Sequence, residues 1–142
     1  MRYDFDYRKE RTRGGETVYR PAIYFYLQGV DKNWYLFDAY LDSGADLSLL
    51  TRSDCEFLGH QLKEGREKYI GGIAGGLMRV FLHRIPFRIG KVIIEAEIGF
   101  AEIEEVLRLL GRRAIFPHFR ICFDEDKLEF SLLYKKGREI RS

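Results

Sequence analysis

An apolar stretch that ends in an Asp-Ser-Gly turn constrains this chain more than any other feature of its sequence. Residues 37–50 read FDAYLDSGADLSLL, so Asp42 closes a strand-like segment and Ser43 and Gly44 follow it. A carboxylate at the end of an apolar strand is costly unless it is hydrogen-bonded or functional. If it is functional, the chemistry that suits it is the activation of water. One acid does not suffice for that chemistry, so the motif also predicts that the chain dimerises.

Length and charge narrow the class of protein. The 142 residues suit one globular domain, with 46% hydrophobic and 15% aromatic residues. Lys and Arg number 24 against 22 Asp and Glu, and this net charge of +2 gives no electrostatic reason to invoke nucleic acid or a membrane surface. A basic cluster near the N-terminus alternates with acidic residues, and we expect it to be a solvated loop: Arg8, Lys9, Arg11 and Arg13.

Cysteine usage favours a reducing compartment. Cys55 and Cys122 are the only cysteines and lack CxxC spacing, so they predict neither a zinc site nor a redox motif. One disulfide between them stays open as an alternative. The first residues have no apolar signal core, and no apolar run approaches membrane-spanning length. We therefore expect a cytoplasmic protein.

Most of the sequence has the pattern of strands separated by turns. Aromatic, β-branched or alternating segments predict strands at residues 19–27, 34–41, 77–83, 85–89, 92–100, 120–123 and 127–134. Thr51-Arg-Ser-Asp54 fits a helix-capping box and Gly59 fits a helix end, so a helix of about two turns is expected between them. A second short helix is expected near residues 113–119, whereas residues 102–110 fit either a helix or an extended segment.

The residues around Asp42 would make a rigid platform for one acid. The Ser43 hydroxyl can tie down the loop, the Gly44 amide can donate to the carboxylate, and Ala45 adds no bulk. Two such platforms facing each other would share one proton, since like charges about 3 Å apart cannot both ionise. The ionised acid would then take a proton from water while the protonated acid polarises a peptide carbonyl.

The alternative is an ordinary β-turn with a solvated Asp, which is the commoner meaning of this tripeptide alone. The order of the later motifs reverses that preference. A glycine-rich segment and a hydrophobic-hydrophobic-Gly-Arg segment follow the turn, and the ordered set resembles the retropepsin-like aspartic proteases. Four blocks carry the resemblance, at residues 41–46, 72–75, 109–112 and 119–124.

The resemblance implies roles for the matched positions. Asp42 would be the catalytic acid and base, Ser43 would lock the two active loops together across a dimer, and Gly44 and Ala45 would support the site. Asp46 and Arg112 would form an ion pair beside the substrate groove. The tip of a flap over the scissile bond would comprise Gly72, Ile73, Ala74 and Gly75. Ser43 stands where Thr is commoner in the family.

The resemblance also implies a fold and an activity. It predicts an all-β, closed acid-protease-like barrel with one or two short helices, spanning residues 19–134. An N-terminal extension (1–18), expected to be a turn or edge strand, precedes the barrel, and a charged tail (135–142) follows it. The implied activity is that of an aspartic endopeptidase, acting on peptides or proteins as a homodimer without metal or cofactor. A non-catalytic dimeric peptide-binding module that retains the fold is the alternative.

Other polar residues make weaker candidates. Asp38 precedes Asp42 by four residues on the same strand face, and we interpret it as a polar edge residue rather than a second catalytic acid. His60, His83 and His118 lack the spacing of metal ligands, so the sequence predicts no metal site.

Overall fold

The described residues of a computed structural model, 1–71 and 76–135, are mostly β-strand. Their strands are β1 (Arg2–Asp6), β2 (Arg8–Arg11), β3 (Thr17–Arg20), β4 (Ala22–Gln28), β5 (Trp34–Leu41), β6 (Ser48–Leu50), β7 (Arg66–Gly71), β8 (Leu77–Ile89), β9 (Val92–Ala101), β10 (Leu109–Leu110), β11 (Phe119–Asp124) and β12 (Glu129–Tyr134). Their helices are α1 (Arg52–Phe57), α2 (Arg112–Ile115) and a 3₁₀ turn (Leu62–Glu64). None of these helices is long and apolar enough to cross a membrane.

Six strands close a barrel. The neighbours run β4, β5, β10, β6, β9 and β8, and β8 pairs back to β4. The β5–β10 and β6–β9 pairs are parallel, and the other pairs around the circle are antiparallel. Strand β7 extends this sheet by pairing with β8. The prediction of an all-β closed barrel with short helices is confirmed.

Alternating side chains of the barrel strands fill its core. In β4, Ile23, Phe25 and Leu27 are almost fully buried while the residues between them face outward. Successive side chains of a strand point to opposite faces, so this pattern places one face of β4 against the core. Phe25 stacks on Phe37 and Phe87, with ring centroids 6.2 and 4.9 Å apart. Each such buried ring contributes about 2 kcal/mol of hydrophobic stabilisation.

The N-terminal strands form smaller sheets beside the barrel. Strand β1 pairs with β12, which pairs with β11, in a three-stranded antiparallel sheet. Tyr7 follows β1, is buried, and donates a hydrogen bond of 2.7 Å to Glu125. The expected solvated loop at the basic cluster is wrong, because Arg8–Arg11 pairs with Thr17–Arg20 as a β-hairpin. The division of the chain at residues 18 and 134 stays a prediction, and residues 136–142 lie outside the described ranges.

One strand prediction needs correction, one open alternative is decided and two predictions are confirmed. The strands expected at 77–83 and 85–89 are one strand of 13 residues, paired with β9 along most of its length. The segment 102–110, for which the sequence fits a helix or an extended segment, has no helix and ends in a strand at Leu109–Leu110. The capping box at Thr51 is present in full, since Thr51 and Asp54 each accept from the other's backbone amide. Gly59 has a φ of +88°, which suits a glycine at the end of a helix.

Candidate active site

Asp42 lies where the barrel wall ends in a loop. It follows Leu41, the last residue of β5, and the loop returns to the sheet at β6. The Asp42 amide donates to the Leu110 carbonyl at 3.0 Å, and the Leu41 amide donates to the Pro21 carbonyl at 2.9 Å. Backbone bonds on both sides therefore fix the point at which Asp42 leaves the strand.

The turn itself orients the carboxylate. Asp42 Oδ1 accepts the Gly44 amide at 2.9 Å, and the Ala45 amide donates to the Asp42 carbonyl at 3.2 Å. Asp42 is half-buried, whereas Ser43 and Gly44 are exposed. The Gly44 amide thus holds one carboxylate oxygen, as the residue types of the turn predicted. Within the described residues, Oδ2 accepts no hydrogen bond, so the turn leaves one carboxylate oxygen without a protein partner.

A second segment lies directly behind the turn. Strand β10 fits between β5 and β6, parallel to the first and antiparallel to the second. Gly111 follows it and donates its amide to the hydroxyl of buried Ser48 at 2.9 Å. A Cβ on Gly111 would lie 2.4 Å from the Leu47 carbonyl oxygen, so only glycine allows this close approach. Sequence reasoning missed Ser48, because nothing in its local sequence indicates that its hydroxyl is buried against Gly111.

The loop between β5 and β6, residues 42–47, is called the active loop below, and its second half is bonded to the start of α2. The Arg112 amide donates to the Ala45 carbonyl at 2.8 Å, and the Arg113 amide donates to the Asp46 carbonyl at 3.0 Å. The first amides of a helix have no partner inside the helix, so they are free to bind the loop carbonyls. The two segments that the sequence singled out, 41–46 and 109–112, therefore form one hydrogen-bonded unit.

Asp46 and Arg112 are also joined through their side chains. Arg112 Nη2 donates to Asp46 Oδ1, the ion pair that the resemblance implies. The Arg112 guanidinium lowers the pKa of Asp46, first through this bond and then through its charge, and Arg113 and Lys68 lower it further. Both paired side chains are more than half exposed, so the pair adds little stability in water.

Comparisons with known proteins address the fold. No family model matches the sequence, and no curated protein matches it. Among solved structures, a retropepsin-like aspartic protease from Rickettsia conorii superposes with a TM-score of 0.57 over 93% of this chain and 91% of its own, at 20% identity. The chain has a retropepsin-like fold. The protease of EIAV in complex with the inhibitor HBY-793 is 25% identical over 66% of this chain and 82% of its own, with a TM-score of 0.49.

The hairpin that would carry a flap in this retropepsin-like fold is only partly described. Strands β7 and β8 pair in antiparallel register from Arg66 opposite Leu82 to Gly71 opposite Leu77. The predicted flap residues, Gly72, Ile73, Ala74 and Gly75, lie outside the described ranges. The structure therefore gives the base of the hairpin, and the flap assignment stays a prediction.

An ion-pair network braces the retropepsin-like barrel beneath the active loop. Arg108, just before β10, donates to both carboxylate oxygens of Asp54 at 2.9 and 2.8 Å and to Asp38 at 3.4 Å. Arg8 donates to the other Asp38 oxygen at 2.6 Å. Two guanidinium groups thus hold Asp38, which favours a structural role for this residue over that of a second catalytic acid. Sequence reasoning missed Arg108, whose partner Asp54 lies 54 residues away.

Removing the Asp54 carboxylate should destabilise the fold. We expect Asp54→Ala to lower the free energy of unfolding by about 3 kcal/mol, because it breaks the capping box of α1 and leaves Arg108 without its buried partner. Urea denaturation measures the change. Glu56→Ala in the same helix is the matched control, since its pair with Arg52 is exposed and should contribute less than about 1 kcal/mol. Equal losses in the two variants would contradict the bracing role.

Proposed function

We propose that the chain is an aspartic endopeptidase that acts as a homodimer, with one Asp42 from each subunit. The observation that carries the proposal is the geometry of the Asp42 turn. The Gly44 amide binds one carboxylate oxygen, and the backbone around the turn is bonded to β10 and α2. Such a preformed loop presents a carboxylate in a fixed direction, which acid–base catalysis requires.

The proposed chemistry needs two carboxylates that share one proton. The ionised Asp42 takes a proton from a water molecule as its oxygen attacks the peptide carbonyl carbon. The protonated Asp42 of the other subunit donates its proton to the carbonyl oxygen, and the resulting tetrahedral gem-diol intermediate carries both hydroxyls. As that intermediate collapses, the Asp42 that took the water proton donates it to the amide nitrogen, the other Asp42 takes a proton from a gem-diol hydroxyl, and the C–N bond breaks. The products are a carboxylic acid and an amine, and the two carboxyl groups again share one proton. Two carboxylates and water suffice, so the proposal includes no metal or cofactor.

A second chain is part of the proposal because the described residues of one chain place no second acid beside Asp42 that is free to act. Asp38, the nearest acid in sequence on the same strand, is bonded by Arg8 and Arg108 and is not free to act as the partner. In the dimer, Ser43 would bind across the two loops, and Gly44 and Ala45 would line the site.

The substrate would be an extended peptide or protein segment that lies between the active loop and the β7–β8 hairpin. Main-chain hydrogen bonds would hold it as an added strand. Gly72, Ile73, Ala74 and Gly75 would then close over it as the flap, while Asp46 and Arg112 would stand at the edge of the groove.

We also propose a cytoplasmic location, supported by the state of the cysteines. Cys55 is buried and Cys122 is exposed, and both are free thiols. The disulfide that the sequence left open is therefore absent from the structure, as suits a reducing compartment.

The dimer requirement gives a direct test of the proposed function. Peptide-library cleavage, read by mass spectrometry, should show a specific activity per chain that rises with protein concentration and then levels off. Sedimentation equilibrium should place the monomer–dimer transition in the same concentration range. Full activity per chain at dilutions where only monomer sediments would overturn the two-chain mechanism. A dimer that binds peptides but cleaves none would favour the non-catalytic binding module instead.

A further inference from the structure

A cavity of about 270 Å³ opens beside the active loop. Its walls come from the loop, β6, β7, β8, β10 and α2, through residues Ala45, Asp46, Leu47, Leu49, Lys68, Ile70, Val80, Leu109 and Arg113. Asp42 itself is not among them. Pockets for whole small ligands usually measure about 300–1,000 Å³, so this cavity lies near the lower end of that range and has room for one substrate side chain.

The inner part of this cavity is aliphatic. Val80 is fully buried and Leu49 is almost so, and both belong to a small apolar cluster beneath the β7–β8 hairpin. Leu47 and Ile70 pack against that cluster and are half-buried. The floor would therefore favour the methylene or methyl groups of a ligand by removing them from water.

The outer part of the cavity carries an excess of positive charge. Lys68 and Ile70 are two residues apart on β7, so strand alternation turns both side chains toward the cavity. Arg113 reaches it from α2 and is exposed. Among the described residues, no carboxylate lies within 4 Å of the charged groups of Lys68 or Arg113, while Asp46 is already paired with Arg112.

The influence of these cations on Asp46 supports this charge distribution. Besides Arg112, the charges of Arg113 and Lys68 both lower the pKa of Asp46, so three cations act on one carboxylate. A second carboxylate placed at the mouth of the cavity would meet a net attraction.

We propose that this cavity, the Lys68–Arg113 pocket, selects a glutamate side chain of the substrate. The two methylenes of glutamate would contact the aliphatic floor, and its carboxylate would reach Lys68 and Arg113. Aspartate has one methylene fewer to contact the floor, and glutamine lacks the charge. This proposal deepens the proposed function and rests on it, because it assigns the pocket to a peptide substrate.

A positional peptide library tests the preference. At one position relative to the cleaved bond, glutamate should raise kcat/KM roughly fivefold over glutamine, in line with two partly exposed ion pairs. The preference should fall as salt is raised from about 0.05 to 1 M, since salt screens exposed charges. The double variant Lys68→Met with Arg113→Gln should lose the preference for glutamate over glutamine. The matched control, Lys91→Met with Arg120→Gln, removes two exposed cations that do not line the pocket and should keep it.

A binding measurement separates failure of this inference from failure of the proposed function. Fluorescence anisotropy with Asp42→Asn protein compares labelled glutamate and glutamine peptides without cleavage, and tighter binding of the glutamate peptide is expected. Cleavage with no glutamate preference, or a preference that survives in the Lys68 and Arg113 variant, would overturn the pocket assignment alone. Glutamate-selective binding by a wild-type protein that cleaves nothing would overturn the protease function and support the pocket. Neither cleavage nor selective binding would overturn both.

Discussion

Replacing Asp42 with Asn is expected to abolish peptide cleavage, with a loss of about a thousandfold or more in kcat/KM. In the homodimer both subunits then carry an amide, which can neither take a proton from water nor donate an acidic proton to the peptide carbonyl, so both proton transfers are lost. The fold should survive, because Asn keeps the side-chain oxygen that accepts the Gly44 amide. We expect a Tm within about 2 °C of wild type. Cleavage of the best library peptide and thermal unfolding measure the two effects.

Asp126→Asn is the matched control for this loss. Asp126 is exposed in the turn between β11 and β12, and the same chemical change there should leave cleavage at the wild-type rate. Activity in Asp42→Asn equal to that of wild type would contradict the proposal of an aspartic protease. Loss of activity together with unfolding would instead assign Asp42 a structural role, since the turn would then depend on the charge itself.

Adding one methyl group at Gly111 should have the largest effect on the assembled site. In Gly111→Ala the new Cβ would lie 2.4 Å from the Leu47 carbonyl oxygen and 2.7 Å from that of Ala45. Both atoms belong to the backbone of the active loop, so neither can rotate away as a side chain would. We expect the free energy of unfolding to fall by about 3 kcal/mol. The displaced loop should also lower cleavage per folded molecule about tenfold or more.

Gly14→Ala provides the control for Gly111→Ala. Gly14 lies in the β2–β3 turn. A Cβ added there would have the Thr12 hydroxyl, 4.0 Å away, as its nearest neighbour. The free energy of unfolding of Gly14→Ala, measured by urea denaturation, should stay within about 0.5 kcal/mol of wild type. A Gly111→Ala protein with wild-type stability would show that the loop and β10 are not packed as closely as described.

The parts of the fold that local patterns encode are predictable from sequence. Strand β5 was expected at residues 34–41 and is found there, because its inward and outward side chains alternate clearly. Strands β1 and β2 could not be located within the turn or edge strand expected at residues 1–18, since charged residues on their outward faces resemble a polar loop. Strand β6 was missed as well, because all of Ser48–Leu50 is buried and three residues show no alternation. The two strands expected on either side of Arg84 are one continuous strand, because Arg84 is an outward-facing residue within β8 and not a break.

The candidate site likewise has some features that the sequence predicts and others that it does not. The turn at Asp42 and the Asp46–Arg112 pair could be named from sequence because a family resemblance supplied their spacing. The support around them depends on contacts between distant residues, which a single sequence does not indicate. Arg108 meets Asp54 and Ser48 meets Gly111 only because β10 inserts between β5 and β6.

The pairing of β1 with β12 has a consequence for how the protein is made. Asp4 lies opposite Ser131, so the two strands meet across more than a hundred residues. During synthesis β1 emerges first and has no partner until β12 has left the ribosome, whereas β4 and β5 can pair at once as a hairpin. Until then Phe5 lacks its stacking partner Phe130, and β1 is an open edge that could pair with another nascent chain. The charges at Arg2, Asp4 and Asp6 on its outward face would oppose such pairing and so limit aggregation until β12 is available.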